Sequence, residues 1–450
     1  MDRTETPEPG SDGPPADGWT ALIDDIRRGA WVEPASGATV RPAPFDIIEI
    51  ADSLDGAEPD LLARLGMTGS RAVVADTATW DALGARVAAN LGGTASVVLD
   101  HPHADLAAAA DLAEKLRDYA HVIAVGSGTL NDLCKYVTAQ DGRRYCVFAT
   151  AASMDGYTSK TASITLDSGL KVSLPAHEAA GVFIDLSVSA AAPRRLAAAG
   201  FGDSICRSVC QIDWWMSHRL LGSYYTDVPY AMAARDEAEI MARAGAIGAG
   251  APVATGYLQR NLVLSGLGVS FTGVSNHGSM GEHQISHYID CFAGPRHPGS
   301  LHGEQVGVAT LTMARLQHWF LDQPAPPQLH PTRIDEADMA RRMGPAIAAQ
   351  CAAEYRKKAN DTRAAAAMNE KLAEIWPSLR AECQAFAVAP EVIEEKLSAA
   401  GGATTATALG IPAALYREAV RHGHEMRNRF SFADLACDAG ILDDFAAGAA

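Results

Sequence analysis

His121-Val122-Ile123-Ala124-Val125-Gly126-Ser127-Gly128-Thr129-Leu130-Asn131-Asp132 is the stretch on which the fold turns. Its first half is an apolar run of strand length, and its second half is a glycine turn that opens a helical pattern. Glycines let a backbone approach a phosphate closely, and the free N–H groups of a helix start point at it. The third glycine of the dinucleotide fingerprint is missing, because Asn131 stands there. From these residues alone a plain strand-to-helix turn stays open beside a phosphate cradle.

Outward from this stretch, strands are predicted over 45–50, 71–76, 95–100 and 145–150, with helical patterns over 80–91, 106–116 and about 131–137. That alternation predicts a Rossmann-like parallel sheet with helices on both faces. Residues 160–185 hold shorter strands. Beyond 190 the strands stop. Helices are expected over 193–199, 204–221, 231–247, 260–270 and 304–321, and Ala-rich helical windows run from 336 to 397. The expected organisation is a disordered Pro- and acid-rich tail over 1–18, an α/β domain over 19–185 and an all-α domain over 186–450.

The 450 residues carry 37 Lys and Arg against 54 Asp and Glu, a formal charge of −17. Nucleic acid and anionic membranes need a basic face and are poor partners for such a chain. No apolar run reaches the roughly 18 residues of a spanning helix. The acidic N-terminus does not read as a signal peptide. Eight cysteines do not make a disulfide framework, and a cytoplasmic protein is expected. The expected partners are a small-molecule substrate and a second copy of the chain in a homodimer.

Several side chains carry chemistry. Asp76 ends a predicted strand, where a carboxylate holds an adenosine ribose or caps a helix. Thr150-Ala151-Ala152-Ser153-Met154-Asp155-Gly156-Tyr157-Thr158-Ser159 follows another, at the sheet edge where ligands bind; a polar loop is the bland alternative. Gly281-Glu282-His283-Gln284-Ile285-Ser286-His287 places two histidines four residues apart, on one helical face, with His302 at the next helix start. Imidazoles so placed hold a metal or simply line an interhelical loop. The zinc-protease pattern is not met, since Gln284 stands where its Glu is required. Asp203 reads as a helix N-cap that is also able to turn inward as a ligand. Cys206 and Cys210 read as small buried groups.

The blocks Gly126-Ser127-Gly128-Thr129 with Asn131, Asp132 and Lys135, then Thr150 to Tyr157, Gly202-Asp203, Glu282 to His287 and His302-Gly303-Glu304 come in an order that resembles the sn-glycerol-1-phosphate dehydrogenase family. That family lies in the superfamily of glycerol dehydrogenases, iron-containing alcohol dehydrogenases and dehydroquinate synthases. The likeness spans about residues 20 to 320. It implies a dinucleotide-binding domain (19–185) followed by a helical metal- and substrate-binding domain (186–450). It also implies Asp203, His283 and His302 as ligands of one divalent ion (Zn, Ni or Fe). His287 and Asp155 would contact substrate. Gly126, Ser127, Gly128, Thr129, Leu130, Thr150, Ser153 and Ser159 would contact NAD or NADP, and Asp76 would repel a 2′-phosphate and favour NAD.

The implied reaction interconverts dihydroxyacetone phosphate and sn-glycerol 1-phosphate by hydride transfer. A dehydrogenase for glycerol or another small polyol, or a dehydroquinate synthase-like cyclase, is the competing reading. Arg207 occupies the place of the fourth ligand, a His, of iron-dependent alcohol dehydrogenases. Dehydroquinate synthases usually carry Glu where Asp203 stands. Ala149, Cys206-Arg207 and Asn276-His277-Gly278 depart from the family's usual residues. Lys135, Lys171 and Arg207 are unranked candidates for the phosphate.

Overall fold

The computed structural model describes residues 13–41 and 43–449. The expected disordered tail lies, through residue 12, outside the described residues; residues 13–18 form bends and turns. Two compact units result. One reaches to Ser204 and takes in Val228–Val274; the other comprises Ile205–Asp227 and the chain from Ser275 onward.

The first unit is built on six parallel strands. In chain order they are β1 (Ile47–Ala51), β2 (Arg71–Asp76), β3 (Ala95–Leu99), β4 (His121–Gly126), β5 (Arg144–Ala149) and, after a β6–β7 hairpin (Thr161–Thr165, Lys171–Pro175), β8 (Gly181–Asp185). Their order across the sheet is β1-β8-β5-β4-β2-β3. The apolar runs read from sequence are the inner strands: β4, β5 and β8 are buried along nearly their whole length, whereas β3, at the edge, is mostly exposed. Side chains alternate across a strand. Val73 and Ala75, Ile123 and Val125, Cys146 and Phe148, and Phe183 therefore fall on one face and share a core with Leu62, Val87 and their neighbours.

The topology places the ligand edge. β2 connects to β3 on one side and β4 to β5 on the other, yet β2 and β4 are neighbours. Chain direction thus diverges at the carboxyl ends of β2 and β4, the switch point at which open α/β sheets bind ligands. Asp76 and Gly126 end those two strands.

The second unit is helical, with Arg207–Leu221, Gly281–Phe292, His302–Leu321 and Thr362–Phe386 among its longer helices. An α/β part and an all-helical part are what the pattern predicted. Boundaries differ in instructive ways. The helix after the glycine turn spans Gly128–Asp141 and stops at Gly142 in the left-handed region. Its first turn is poor in helix formers, which hid its start. Pro252–Thr272 is far longer than the expected 260–270 because it is buried nearly all round, so it has little amphipathic contrast to read. No helix among the described residues is long and apolar enough to cross a membrane.

Candidate functional site

The glycine turn presents a helix N-terminus. Ser127 precedes Gly128–Asp141 without a side-chain cap bond, so the first N–H groups of that helix are not consumed by a cap. Gly126 and Leu130 are buried, while Ser127, Gly128 and Thr129 are half-buried. Asp76 caps its own short helix: Oδ1 accepts from Thr79 N at 2.7 Å, and Asp76 N donates to the Thr79 hydroxyl at 3.0 Å. Oδ2 takes no part in that box, so the cap leaves half of the carboxylate for other work.

The 150–159 loop is tied to the same turn. Thr150 N donates to Gly126 O at 3.2 Å, and the Tyr157 hydroxyl reaches Gly126 O and Ala151 O at 3.3 and 3.0 Å. Asn131 Nδ2 and Lys135 Nζ both donate to Gly156 O, at 3.2 and 2.7 Å, and Lys135 also holds Thr161 O at 3.1 Å. Asn131, the residue that breaks the glycine fingerprint, therefore has a structural task. Lys135 is spent on these carbonyls and on Asp132, which removes it as a phosphate ligand. Ser159 turns to Thr161 N at 3.1 Å.

Two helices press on this loop through glycines. A Cβ on Gly200 would sit 2.0 Å from Ala152 O, and one on Gly266 would sit 2.5 Å from Asp155 O. The close approach lets Ser265 Oγ donate to Asp155 Oδ2 at 2.9 Å and lets Asp203 Oδ2 accept from Asp155 N at 3.2 Å. Asp203 is buried and lies in the last turn of Arg194–Ile205. The N-cap expectation for it is thus wrong: the helix begins earlier, and Cys206 separates it from Arg207–Leu221.

In the second unit, His283 and His287 on Gly281–Phe292 face His302 at the start of His302–Leu321. The ring centroids are 5.0 Å apart for His283 and His302, 5.6 Å for His287 and His302, and 5.8 Å for His283 and His287. Each of two rings is oriented through Nδ1. Glu282 Oε1 holds His283 Nδ1 at 2.7 Å, and Ser286 Oγ lies 3.2 Å from His302 Nδ1. Carboxylate or hydroxyl support of the far nitrogen is the usual outer arrangement of metal-bound histidine.

Glu282 is itself fixed by Met280 N and the Cys210 thiol, both at 2.9 Å. Cys206 lies in the same cluster, within 4.8 Å of ligand atoms on Glu282 and His283. Burial would lower the His283 pKa, but the Cys206 thiol and the Glu282 carboxylate raise it instead to about 10. Such surroundings draw positive charge to this imidazole, and the donor set fits a divalent ion.

Other residues of the region are structural. His277 is fully buried, and His297 Nε2 lies 3.2 Å from Asp290. Gln284 donates to Arg429 O at 3.2 Å. Glu282 and Ser286 stood in the motif without a role; their signal was their position beside His283 and between His283 and His287.

These features define a class. The family model described as iron-containing alcohol dehydrogenase matches residues 49–193. Among solved structures, a probable glycerol dehydrogenase from Sinorhizobium meliloti 1021 superposes with a TM-score of 0.58 at 20% identity, over 90% of this chain and 98% of that one. A 1,3-propanediol oxidoreductase gives 0.60 at 15% identity, over 91% and 100%. These neighbours share the fold. Closer in sequence, a glycerol-1-phosphate dehydrogenase (NAD(P)+) of Bacillus velezensis is 30% identical over 373 residues, 80% of this chain and 83% of the relative. Its counterpart in Thermococcus kodakarensis is 31% identical over 271 residues, 59% and 76%. The chain belongs to the glycerol-1-phosphate dehydrogenase family.

Proposed function

We propose that this protein is a metal-dependent NAD(P)-linked dehydrogenase that interconverts dihydroxyacetone phosphate and sn-glycerol 1-phosphate. The observation that carries the reading is the triangle of His283, His287 and His302, two of whose rings are oriented from behind by Glu282 and Ser286. His283 and His302 would hold the ion through Nε2, and Asp203 is the third ligand on the strength of the family motif. A divalent ion there supplies a Lewis acid for the substrate oxygens, and a bound nicotinamide supplies or takes the hydride.

The chain's own residues do the rest. Glu282 fixes the His283 tautomer. His287, half-buried beside both ligand rings, relays the proton that the hydroxyl loses on oxidation. Asp155, held by Ser265, orients a substrate hydroxyl. The N–H groups from Gly128 to Leu130 receive the pyrophosphate, with Ser127, Thr150, Ser153 and Ser159 alongside, and the remaining oxygen of Asp76 receives the adenosine ribose and favours NAD.

The test is NADH oxidation with dihydroxyacetone phosphate against dihydroxyacetone. Preferred turnover of the phosphorylated ketone, loss on chelation and recovery with Zn, Ni or Fe support the reading. Preference for the unphosphorylated ketone, or turnover without net NADH consumption, overturns it.

A further inference from the structure

A carboxylate faces Nδ1 of His283, whereas a hydroxyl faces Nδ1 of His302. A hydroxyl both donates and accepts, so by itself it does not choose between the two tautomers of an imidazole. The group behind the hydroxyl makes the choice. Ser286 Oγ lies 3.2 Å from His302 Nδ1 and 2.8 Å from Gln305 Oε1. Ser286 and Gln305 are both fully buried.

The orientation of the Gln305 amide is itself dictated. Its Nε2 lies 3.0 Å from Asp290 Oδ1, 3.0 Å from Ser300 Oγ and 3.1 Å from His297 Nε2. A carboxylate oxygen only accepts, so the amide turns its NH2 group toward Asp290. The reverse orientation would set two acceptor oxygens against each other. Oε1 therefore faces Ser286, and an amide oxygen also only accepts. It takes the single hydroxyl proton of Ser286. Only lone pairs of that hydroxyl remain for His302, so Nδ1 must be the donor between them. In neutral His302 the unprotonated nitrogen is then Nε2, the one a metal would take.

The helices build this chain. Ser286 and Asp290 are four residues apart on Gly281–Phe292, so one face of that helix presents both the hydroxyl and the carboxylate. Gln305 stands three residues after His302 on His302–Leu321 and meets both groups. We infer that Gln305 is a positioning residue that fixes the tautomer of His302 through Ser286, with Asp290 orienting Gln305 in turn. The inference rests on the proposed function, which takes His302 as a ligand of the ion.

The test is a double-mutant cycle on the full-length protein, read as zinc affinity by competition with a chromogenic chelator. Ser286→Ala removes the acceptor for Nδ1, and Gln305→Leu removes the group that orders that acceptor. Each should weaken zinc binding about 10-fold or more. The double variant Ser286→Ala/Gln305→Leu should match Ser286→Ala within about twofold, because Gln305 acts through the hydroxyl. A role confined to packing the two helices would instead make the losses multiply. Multiplied losses, or a wild-type affinity in Gln305→Leu, overturn the inference, and the proposed function stands if the wild type still reduces dihydroxyacetone phosphate. A wild type that binds no divalent ion overturns both. If Gln305→Leu does not fold, Asp290→Ala takes its place in the cycle: a loss absorbed by Ser286→Ala supports the inference, and a multiplied loss or none overturns it.

Discussion

Glu282 Oε1 and His283 Nδ1 lie 2.7 Å apart between adjacent residues of one helix, both buried. The contact turns a motif residue into an orienting one, since a carboxylate at Nδ1 keeps a proton there and makes Nε2 the nitrogen that a metal would take. Glu282→Gln keeps the volume and removes the charge. It should weaken metal affinity about 10- to 100-fold, read by competition with a chromogenic chelator. Equal affinity in the two proteins would show that the pair has no part in metal binding.

The 150–159 loop offers a test by shape. A methyl at 200 would sit 2.0 Å from a backbone oxygen, which cannot swing away as a side-chain tip can. Gly200→Ala should therefore displace the loop or the helix, at a cost of about 1–3 kcal/mol, and weaken NADH binding with it. Fluorescence titration of NADH and urea unfolding would both register it. Gly245→Ala, on a glycine with open space around it, is the control and should be near neutral.

Much of the fold was legible because the inner strands are buried on both faces and read as apolar runs. Asp76 and Gly126 could be placed at a strand end before any geometry was known, since strand ends are marked by the glycine or acid that stops the run. Asp203 was legible as a motif residue but not as a helix-interior one: Gly200 and Gly202 disguise the last turn of Arg194–Ile205 as its beginning. Gly200 itself was silent, because the oxygen it accommodates belongs to residue 152, distant in sequence.

Acid sensitivity should come from the second unit. His424 is buried, with Nε2 3.1 Å from the Tyr355 hydroxyl and the Lys358 ammonium on its own carbonyl. Burial, then Lys358, holds its imidazole down at about 3. An unfolded histidine takes its proton near 6.5, so between those values the unfolded chain binds more protons and stability falls as pH falls. The loss from this residue between pH 7 and pH 5 is about 2 kcal/mol. Urea midpoints at the two pH values should converge in His424→Gln relative to wild type. An identical pH slope in the two proteins would assign the sensitivity elsewhere.

Asp76 separates two roles that one carboxylate performs. Oδ1 closes the capping box with Thr79, and Oδ2 is the atom proposed to meet the ribose. Asp76→Asn preserves an oxygen for the cap and abolishes the charge, so stability should change little while discrimination against NADP relaxes. Asp76→Ala removes both and should cost about 1 kcal/mol of stability as well. The ratio of kcat/KM for NADH to that for NADPH is the readout, because a 2′-phosphate meets the carboxylate directly and stability does not enter the ratio. A ratio unmoved in Asp76→Asn would confine Asp76 to the cap and leave cofactor choice to other residues at the carboxyl end of β2.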